Sequence, residues 1–521
     1  MTLSSISYLP ALQSFQPNPT RNKADPSLNR SKRKNPSDYG SPKLEKRAKV
    51  RTQNLSQSSS STPWSCHSPP KLIIVLVGLP ARGKSYIARK LCRYLNWLQY
   101  GTRIFNVGDK RRHLKNLYTQ HNANFFDPAD HKAAKIREVA AMATLEELLD
   151  FLLLGGGSVA LFDATNTTLP RRRAIVERVK QRTGSQTEIL FLESQCFDEE
   201  LLESNMMLKL SGPDYKGHDP KASLADFKER VSMYSKKYTS LGSAEESLGW
   251  SFCQMIDVGR KFVMHNIQGY LAFKTVQYIQ NFHLQPRQIW LSRRGESADD
   301  ALEIETLDPE LSERGREYAT ALATFIHKHR TKGYEQKPSS AVYSITHGQA
   351  TSCPTSSPKF QIWTSRTARS RQTSSGFARS EYLVKHLHML DSFNGQESTG
   401  DHHESGSSTS KVLSLPDDNQ ESHSEIAHRI QWMILELERL HDHVLLIAGV
   451  AVLRVLLAYF RDVSQIQLGR LEIPLHTLYL LEPKPYGIEL REFKWDSIDG
   501  DFHEVHQKSK NDPVQSRELG C

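Results

Sequence analysis

An octapeptide near the start of the patterned part of the chain, GLPARGKS at Gly78–Ser85, constrains the fold most strongly. It fits the pattern GxxxxGK[ST] and lies between an unbroken apolar run, Leu72–Val77, and a stretch with helical apolar spacing, Tyr86–Leu91. Continuous apolar runs are typical of buried parallel strands. Strand, glycine-rich loop and helix in this order predict a phosphate-binding P-loop in an α/β fold. The alternative is a glycine-rich turn that binds no ligand.

The chemistry of such a loop assigns roles to its residues. Backbone N–H groups and the positive end of the following helix attract phosphate oxygens. We expect Lys84 to reach the β- and γ-phosphates of a nucleotide and the Ser85 hydroxyl to hold Mg²⁺. The predicted nucleotide-binding residues are Gly78, Leu79, Pro80, Ala81, Arg82, Gly83, Lys84 and Ser85.

A carboxylate follows a second predicted buried strand, because Ser158–Phe162 ends directly in Asp163. An acidic residue at a strand end beside a P-loop suits the positioning of Mg²⁺ or of the attacking hydroxyl. The alternative is an aspartate that only caps the next helix.

Several arginines follow predicted strand ends, where ligands of α/β sheets bind. Arg111 and Arg112 follow the strand Thr102–Val107, and Arg137 and Arg171–Arg173 add further positive charge. Guanidinium groups match phosphate oxygens in shape and charge, so the pattern favours a phosphorylated acceptor. Each arginine taken alone is an ordinary surface residue.

Length and charge limit the number of domains and the classes of protein that this chain can belong to. The 521 residues predict two or three domains, and no apolar run approaches the ~18 residues that a membrane span requires. The net charge is +10, but residues 1–70 carry eleven Lys/Arg against three Asp/Glu, which leaves the rest nearly balanced. This balance argues against a nucleic-acid-binding domain. Six scattered cysteines without metal-binding spacing and the lack of a secretory signal predict a reduced, cytoplasmic protein.

Residues 1–70 are rich in Ser, Pro and basic residues, and we expect this tail to be disordered. Lys32–Lys34 and Lys46–Lys49 resemble a bipartite nuclear signal, for which a solvated regulatory arm is the alternative. Ser37 and Ser41 are candidate sites for a protein kinase. From Lys71, strands alternate with helices, which predicts a doubly wound, mainly parallel sheet over residues 71–286.

The motifs of this region together resemble those of the 6-phosphofructo-2-kinase/fructose-2,6-bisphosphatase family. They are Gly78–Tyr86, Arg93–Trp97, Phe105–Gly108, Arg111-Arg112, Phe162–Thr168, Ser211–Tyr215, Val258-Gly259 and Gln285–Arg287. The resemblance spans roughly Lys71 to Pro485. It implies transfer of the γ-phosphoryl group of ATP to the 2-hydroxyl of fructose 6-phosphate, with Mg²⁺, and thereby the regulation of glycolysis.

The same resemblance implies residue roles. Lys84, Asp163 and Cys196 match positions at the transfer centre, and Tyr86 and Ser204–Lys209 match further ATP contacts. The sugar phosphate would be held by Arg111, Arg137, Thr165, Arg171, Lys209, Arg230 and Tyr234. The family usually has Tyr where this chain has Lys110, so we expect the sugar site to persist with altered affinity.

Residues 287–500 resemble the histidine-phosphatase and phosphoglycerate-mutase α/β fold, but two diagnostic histidines are absent. Arg294, in Ser292–Ser297, stands where the family has its nucleophilic histidine, and Gly449 stands where it has the second histidine. A guanidinium stays protonated and cannot attack phosphorus. Arg293 and Arg369 match phosphate-binding arginines, whereas the acid/base glutamate, near Gln396-Glu397, cannot be assigned. The domain is therefore predicted to have lost bisphosphatase activity.

Other features carry less information. Ser344–Pro358 and Gly395–Ser414 are predicted loops, and in the second of them His402-His403 with Asp401 and Glu404 favour a solvated polar loop over a metal site. Residues 501–521 are predicted to be disordered, and the resemblance implies a homodimer. Three alternatives stay open: a bifunctional kinase/bisphosphatase, another P-loop kinase such as a polynucleotide kinase, and a pseudoenzyme that binds nucleotide and sugar phosphates.

Overall fold

Two β-sheets organise the chain in a computed structural model. The structure describes residues 71–114, 123–127, 129–184, 186–210, 212, 214–215, 217–281, 283–284, 286–298, 300, 308–335, 360–378, 382–391, 422–463, 465–484 and 487–505. The predictions of a disordered N-terminal tail, a nuclear signal, phosphorylation sites, two inserted loops and the acid/base glutamate all lie outside these residues. The predicted disordered tail 501–521 is wrong at its start, because Phe502–Glu504 form a strand that pairs with the end of the preceding one, and residues 506–521 lie outside the described residues.

The first sheet has six strands in the order β2-β3-β1-β4-β5-β6. Its strands are β1 Lys71–Val77, β2 Thr102–Asn106, β3 Val159–Asp163, β4 Thr187–Gln195, β5 Ser251–Ile256 and β6 Lys261–His265. All neighbouring pairs are parallel except β5 with β6. The doubly wound, mainly parallel sheet is therefore confirmed, with an antiparallel strand at one edge.

Helices cover both faces of this sheet. They are α1 Lys84–Trp97, α2 Val107–Leu114, α3 His131–Leu153, α4 Leu169–Thr183, α5 Glu199–Leu210, α6 Pro220–Ser235, α7 Ser243–Ser247 and α8 Tyr270–Ile279, with a 3₁₀ turn at Ala123–Phe126. Alternate residues of β1 enter two separate apolar clusters, one on each face. This two-sided burial explains why Leu72–Val77 is apolar throughout.

The second sheet has seven strands in the order β13-β12-β11-β7-β10-β8-β9. They are β7 Ile289–Arg293, β8 Phe360–Thr364, β9 Tyr382–His386, β10 His443–Ala448, β11 Thr477–Lys484, β12 Gly487–Trp495 and β13 Phe502–Glu504. Strands β7 to β10 are parallel, and β11 to β13 add an antiparallel extension. The helices are α9 Glu313–Glu335, α10 Ala368–Thr373, α11 His423–Arg439, α12 Val450–Arg461 and α13 Gln465–Leu468, with 3₁₀ turns at Ser375–Phe377 and His388–Leu390.

The two sheets share one apolar core. Residues of β1 and α1 belong to the same buried cluster as residues of β10 and α12. At its centre the indole Nε1 of Trp97 donates to the carbonyl oxygen of Val455 at 3.1 Å, and the Trp97 and Tyr459 rings meet edge to face at 5.6 Å. The helix that begins at the P-loop therefore packs directly against the second sheet's helices. Within the described residues, none of the helices combines the length and apolar character needed to cross a membrane.

Candidate active site

The segment Gly78–Ser85 turns sharply from β1 into α1, as predicted. Gly78 has φ of 133°, and a Cβ atom there would lie 2.5 Å from the carbonyl oxygen of Ser194, so only glycine fits. Gly83 has φ of 80° and directly precedes α1. The side-chain amide of Asn205, on α5, donates to the carbonyl oxygen of Ala81 at 3.2 Å. This bond ties the predicted second nucleotide-binding segment, which includes Ser204, to the loop.

Lys84 is buried at the first turn of α1. Its Nζ donates to the carbonyl oxygen of Leu79 at 2.6 Å, so the side chain folds back along the loop. Burial lowers the pKa of Lys84 to about 7, an effect that the carboxylate of Asp163 opposes and the cations Lys209, Arg82 and Arg230 reinforce. A polyanion beside Nζ would raise this pKa and favour the ammonium form.

Asp163, the last residue of β3, lies beside Ser85. Its Oδ2 accepts the Ser85 hydroxyl at 2.8 Å and the side-chain amide of Asn106 at 2.7 Å. The predicted meeting of Ser85 and Asp163 is therefore present. Asn106 was quoted in the sequence only as part of a motif, without a role. The sequence did contain a signal for Asn106, because this residue ends a strand just as Asp163 does. In the structure the two residues are paired in register.

Three guanidinium groups surround one carboxylate next to this centre. Arg111 and Arg112, on α2, and Arg230, on α6, lie 2.8, 3.3 and 3.1 Å from the carboxylate oxygens of Asp214. Burial raises the pKa of Asp214, but the three guanidiniums outweigh burial and hold that pKa well below its ordinary value. Asp214 was not among the predicted site residues. Its partners Arg111 and Arg112 lie more than a hundred positions away, so no local pattern could reveal it.

The ring of Phe126 lies under two of these guanidiniums. The Cζ atoms of Arg230 and Arg111 are 3.9 and 5.1 Å from the ring centroid, which is cation–π geometry. The ring of Tyr234 lies 5.5 Å away on a tilted plane. Arg111, Arg230 and Tyr234, which were predicted separately, are thus brought together around one aromatic residue that the sequence reading missed.

The other predicted sugar-site residues lie on neighbouring elements. Arg137, on α3, donates to the carbonyl oxygen of Phe125, and Arg171, on α4, pairs with Glu138 at 2.7 Å. Burial lowers the pKa of both arginines. The carbonyl oxygen of Thr165 accepts the N–H of Gly78 at 2.9 Å, which holds the β3 end against the P-loop.

Lys209 lies close to Asp163. The surrounding protein lowers the pKa of Lys209 by displacing water, and the Asp163 carboxylate opposes this shift. Lys110, the departure from the family pattern, pairs with Glu147 on α3.

One predicted cation belongs to the core instead. Arg172 is fully buried, pairs with Glu245 at 2.6 Å and donates to the carbonyl oxygens of Asn166 and Thr239. The helical period places Arg172 on the inner side of α4, so its expected contribution to the phosphate site is wrong. Arg173 is exposed on the same helix.

Cys196 follows β4 and is buried. Its thiol lies 3.9 Å from the carbonyl oxygen of Asp198, and burial raises the pKa of Cys196, which disfavours the thiolate. Its charge interaction with Arg82 places it near the P-loop. A protonated thiol in this position contacts the nucleotide loop but is a poor nucleophile.

In the second sheet, Arg294 is held by an acidic partner. Arg294 is 2% exposed, and its Nη1 lies 2.5 Å from Oδ2 of Asp300. Burial raises the pKa of Asp300, but the hydrogen bond and charge of Arg294 outweigh burial and keep that pKa below its ordinary value. The place predicted for a nucleophile therefore holds a buried ion pair.

The remaining predicted residues of this region lie at the same sheet edge. Ala448 pairs with Arg293 in register, so Gly449 and Arg294 are the next residues of two adjacent parallel strands. Arg293 donates to the carbonyl oxygen of Ile473 at 3.0 Å, and Arg369 is buried on α10. His476, which the sequence reading did not single out, is 7% exposed there; burial and neighbouring arginines lower its pKa to about 4.

Fold and site together define a P-loop kinase joined to a histidine-phosphatase-like α/β domain. The sequence model described as 6-phosphofructo-2-kinase matches residues 60–286, and that of the histidine phosphatase superfamily (branch 1) matches residues 354–497. The chain belongs to the 6-phosphofructo-2-kinase family.

Curated relatives resemble most of the chain. 6-phosphofructo-2-kinase 1 of Saccharomyces cerevisiae is 38% identical over 470 residues, which cover 87% of this chain and 55% of that protein. A probable 6-phosphofructo-2-kinase of Schizosaccharomyces pombe is 37% identical over 493 residues, covering 86% and 73%. Human 6-phosphofructo-2-kinase/fructose-2,6-bisphosphatase 3 is 35% identical over 441 residues, covering 82% and 78%. The chain thus spans little more than half of the budding-yeast relative.

Proposed function

We propose that this kinase transfers the γ-phosphoryl group of ATP to the 2-hydroxyl of fructose 6-phosphate, and that its product, fructose 2,6-bisphosphate, regulates glycolysis. One observation carries the proposal: Ser85 of the P-loop lies 2.8 Å from the Asp163 carboxylate at the end of β3, and the guanidinium cluster of Arg111 and Arg230 lies at the same edge of the sheet. Phosphoryl transfer depends on positioning and charge neutralisation, and this edge supplies both. The family membership and the printed names of the relatives support the choice of sugar.

The P-loop fits a nucleotide polyphosphate. Gly78 and Gly83 have positive φ angles that let the chain turn from the strand into the helix, and Lys84 is a buried cation at the helix start. The Ser85 hydroxyl and the Asp163 carboxylate are hard oxygen donors within hydrogen-bonding distance of each other, which suits Mg²⁺. Bound there, the ion would neutralise charge on the β- and γ-phosphates.

The donor set also explains what kind of metal site this is. Among the residues that the structure describes, no group of three or more His, Cys, Asp or Glu side chains could hold a metal ion. Mg²⁺ is usually bound by one or two protein oxygens together with substrate phosphates rather than by a protein cage. Ser85 and Asp163 match this mode.

In the reaction, a bond forms between the sugar 2-oxygen and the γ-phosphorus while the bond to the leaving ADP oxygen breaks and the proton of the 2-hydroxyl is released to solvent. Lys84 would neutralise the leaving phosphates. Asp163, oriented by Asn106, would accept a hydrogen bond from the 2-hydroxyl or hold the ion, and Lys209 would neutralise charge nearby. Arg111, Arg230 and their neighbours would hold the 6-phosphate at a fixed distance from this centre.

We further propose that the second α/β domain has lost bisphosphatase chemistry. Covalent phosphoryl transfer needs an activated nucleophile, and the arginine at position 294 is engaged by Asp300. Gly449 offers no side chain at the partner position. The printed names of the two yeast relatives mention only the kinase, whereas the human relative's name includes both activities.

Incubation of the purified protein with Mg-ATP and fructose 6-phosphate, followed by measurement of fructose 2,6-bisphosphate, tests the proposal. Formation of the product with stoichiometric ADP is expected. ATP binding without product would instead support a pseudoenzyme, and turnover of a polynucleotide 5′-hydroxyl would support another P-loop kinase. Homodimer formation, phosphorylation of the N-terminal tail, and cytoplasmic rather than nuclear localisation stay proposals from the sequence.

A further inference from the structure

Asp214 is the centre of the guanidinium cluster, although no motif assigned it a role. It lies between α5 and α6, and its carboxylate accepts hydrogen bonds from Arg111 at 2.8 and 3.0 Å, from Arg112 at 3.3 Å and from Arg230 at 3.1 Å. Arg111 is 6% exposed. Moving guanidinium groups out of water is costly unless an opposite charge lies close to them, and the carboxylate of Asp214 provides that charge.

The cluster carries a net positive charge, as a site for a phosphate monoester requires. Three guanidiniums face the carboxylate of Asp214 and that of Asp109, which pairs with Arg112, so these five groups together carry +1. A phosphate monoester carries about −1.5 to −2 charges at neutral pH. The guanidiniums hold the pKa of Asp214 well below its ordinary value, so this carboxylate stays ionised near neutral pH.

The cluster also contains two hydrogen-bond donors that no described residue accepts. The Nε atoms of Arg111 and Arg230 are buried and have no hydrogen-bond partner within the described residues. Buried donors are rarely left unsatisfied, so such atoms point to a ligand with acceptor oxygens. Phe126 packs against the faces of both guanidiniums, so their N–H groups, which lie in the plane of each group, point away from the ring.

Arg111 and Arg230 would otherwise repel each other. Burial lowers the pKa of Arg111, and the charge of Arg230 lowers it further, while Asp214 opposes both effects. Without the carboxylate, the two cations would be expected to separate and to lose their common orientation. The energetic balance of the pair therefore depends on Asp214.

We propose that Asp214, supported by Phe126, is a positioning residue that presents Arg111 and Arg230 side by side to the phosphate group of the sugar substrate. This inference rests on the proposed function, since it concerns the acceptor site of that reaction. Asp214 does not touch the reacting atoms. It acts by fixing the guanidiniums and by setting the net charge that the phosphate meets.

The test compares Asp214→Asn with the control Glu229→Gln, which removes an exposed carboxylate from α6, the helix that carries Arg230. For Asp214→Asn we expect the KM for fructose 6-phosphate to rise about tenfold or more, as for the loss of a charged hydrogen-bond network. The KM for ATP and kcat should stay within about twofold, because the P-loop is untouched. Asp214→Glu should restore part of the affinity, and the control should not change it.

An unchanged or lower KM for the sugar in Asp214→Asn would overturn the inference, and a lower one would make Asp214 a competitor of the phosphate. If that variant does not fold, Phe126→Leu provides the second test, with the same selective rise in sugar KM expected and an unchanged KM overturning it. Should the wild-type protein form no product, the proposed function fails by itself. The positioning role is then judged by calorimetric titration with fructose 6-phosphate, and equal binding by wild type and Asp214→Asn would refute it.

Discussion

Lys90 Nζ lies 2.7 Å from Oε2 of Glu438, and this ion pair joins the P-loop helix to α11 of the second domain. Arg93 at 3.1 Å and Arg287 at 3.2 Å share the same carboxylate, and the hydroxyl of Tyr459 donates to it at 2.6 Å. The Glu438 side chain is 2% exposed. One buried carboxylate is thus the shared ion-pair partner of three cations at the contact between the two sheets.

Glu438→Gln should destabilise the protein strongly. It leaves three buried cations without their counter-charge, and breaking a buried pair in this way costs about 3–5 kcal/mol. The measurement is the free energy of unfolding from urea denaturation. Glu436→Gln is the control, since Glu436 pairs with the exposed Arg439, three positions away, and its loss should cost less than about 0.5 kcal/mol. Equal effects of the two changes would contradict the role given to Glu438.

The same carboxylate should make stability depend on acid. Burial raises the pKa of Glu438, but Lys90, Arg287 and Arg93 outweigh burial and hold that pKa well below its ordinary value. A depressed carboxyl pKa adds stability above the unfolded value of about 4.3 and loses it as the pH falls toward the folded value. The midpoint temperature of thermal unfolding, measured from pH 7 downward, should therefore begin to decrease once the pH is lower than about 5. The decrease should be shallower in Glu438→Gln. Parallel declines would show that other groups control acid unfolding.

Lys84→Met should abolish formation of fructose 2,6-bisphosphate while the protein stays folded. The change keeps an unbranched side chain of similar length and removes the charge that neutralises the transferred phosphates. We expect kcat to fall at least about a hundredfold. Arg89→Met, an exposed position on the same helix, is the matched control and should keep wild-type turnover. Wild-type turnover in Lys84→Met would make the phosphate-site assignment wrong.

Cys196→Ser should retain most of the kinase activity. The thiol is buried with a raised pKa, so it contributes packing beside the P-loop rather than a thiolate. The expected result is a kcat within about threefold of wild type, because removing a non-reacting contact costs little of the transition-state binding. A hundredfold lower kcat would contradict this prediction and would indicate that Cys196 acts at the transfer centre.

Supplying fructose 2,6-bisphosphate to the wild-type protein should release no phosphate and trap no acid-labile phosphate on histidine. Arg294 remains cationic beside Asp300 and cannot form a phosphoryl-enzyme. Mass spectrometry of the quenched protein checks this at the level of single residues. A labelled phosphohistidine would contradict the proposed loss of bisphosphatase activity.

Local patterns predicted the parts of the site that lie close together in sequence. The strand, loop and helix around Gly78–Ser85 were predictable because burial on both faces of β1 demands a continuous apolar run. Asp163 could be predicted because it directly ends such a run. The inward position of Arg172 was missed, since the charge of an arginine suggests exposure, and the partners that stabilise it inside, Glu245 above all, are distant in sequence.

Residues whose roles depend on distant partners could not be predicted. Asp214 meets Arg111 across 103 positions, and Glu438 meets Lys90 across 348. Neither pairing leaves a periodic signal, because only the folded sheet order brings the elements together. The role of Phe126 could not be predicted either, because the two guanidiniums that it contacts come from two different helices, α2 and α6.

The ion pairs of Glu438 with Lys90, Arg93 and Arg287 limit how far this enzyme can be shortened. A fragment that ends at residue 286 would expose Lys90 and Arg93 without the carboxylate of Glu438. It would also expose the apolar residues that pack against α12 in the full chain. Such a fragment would need compensating substitutions at these positions to be produced in usable form. Whatever its own chemistry, the second domain is therefore indispensable to the kinase domain, because it supplies the buried carboxylate of Glu438 and an apolar surface for α1.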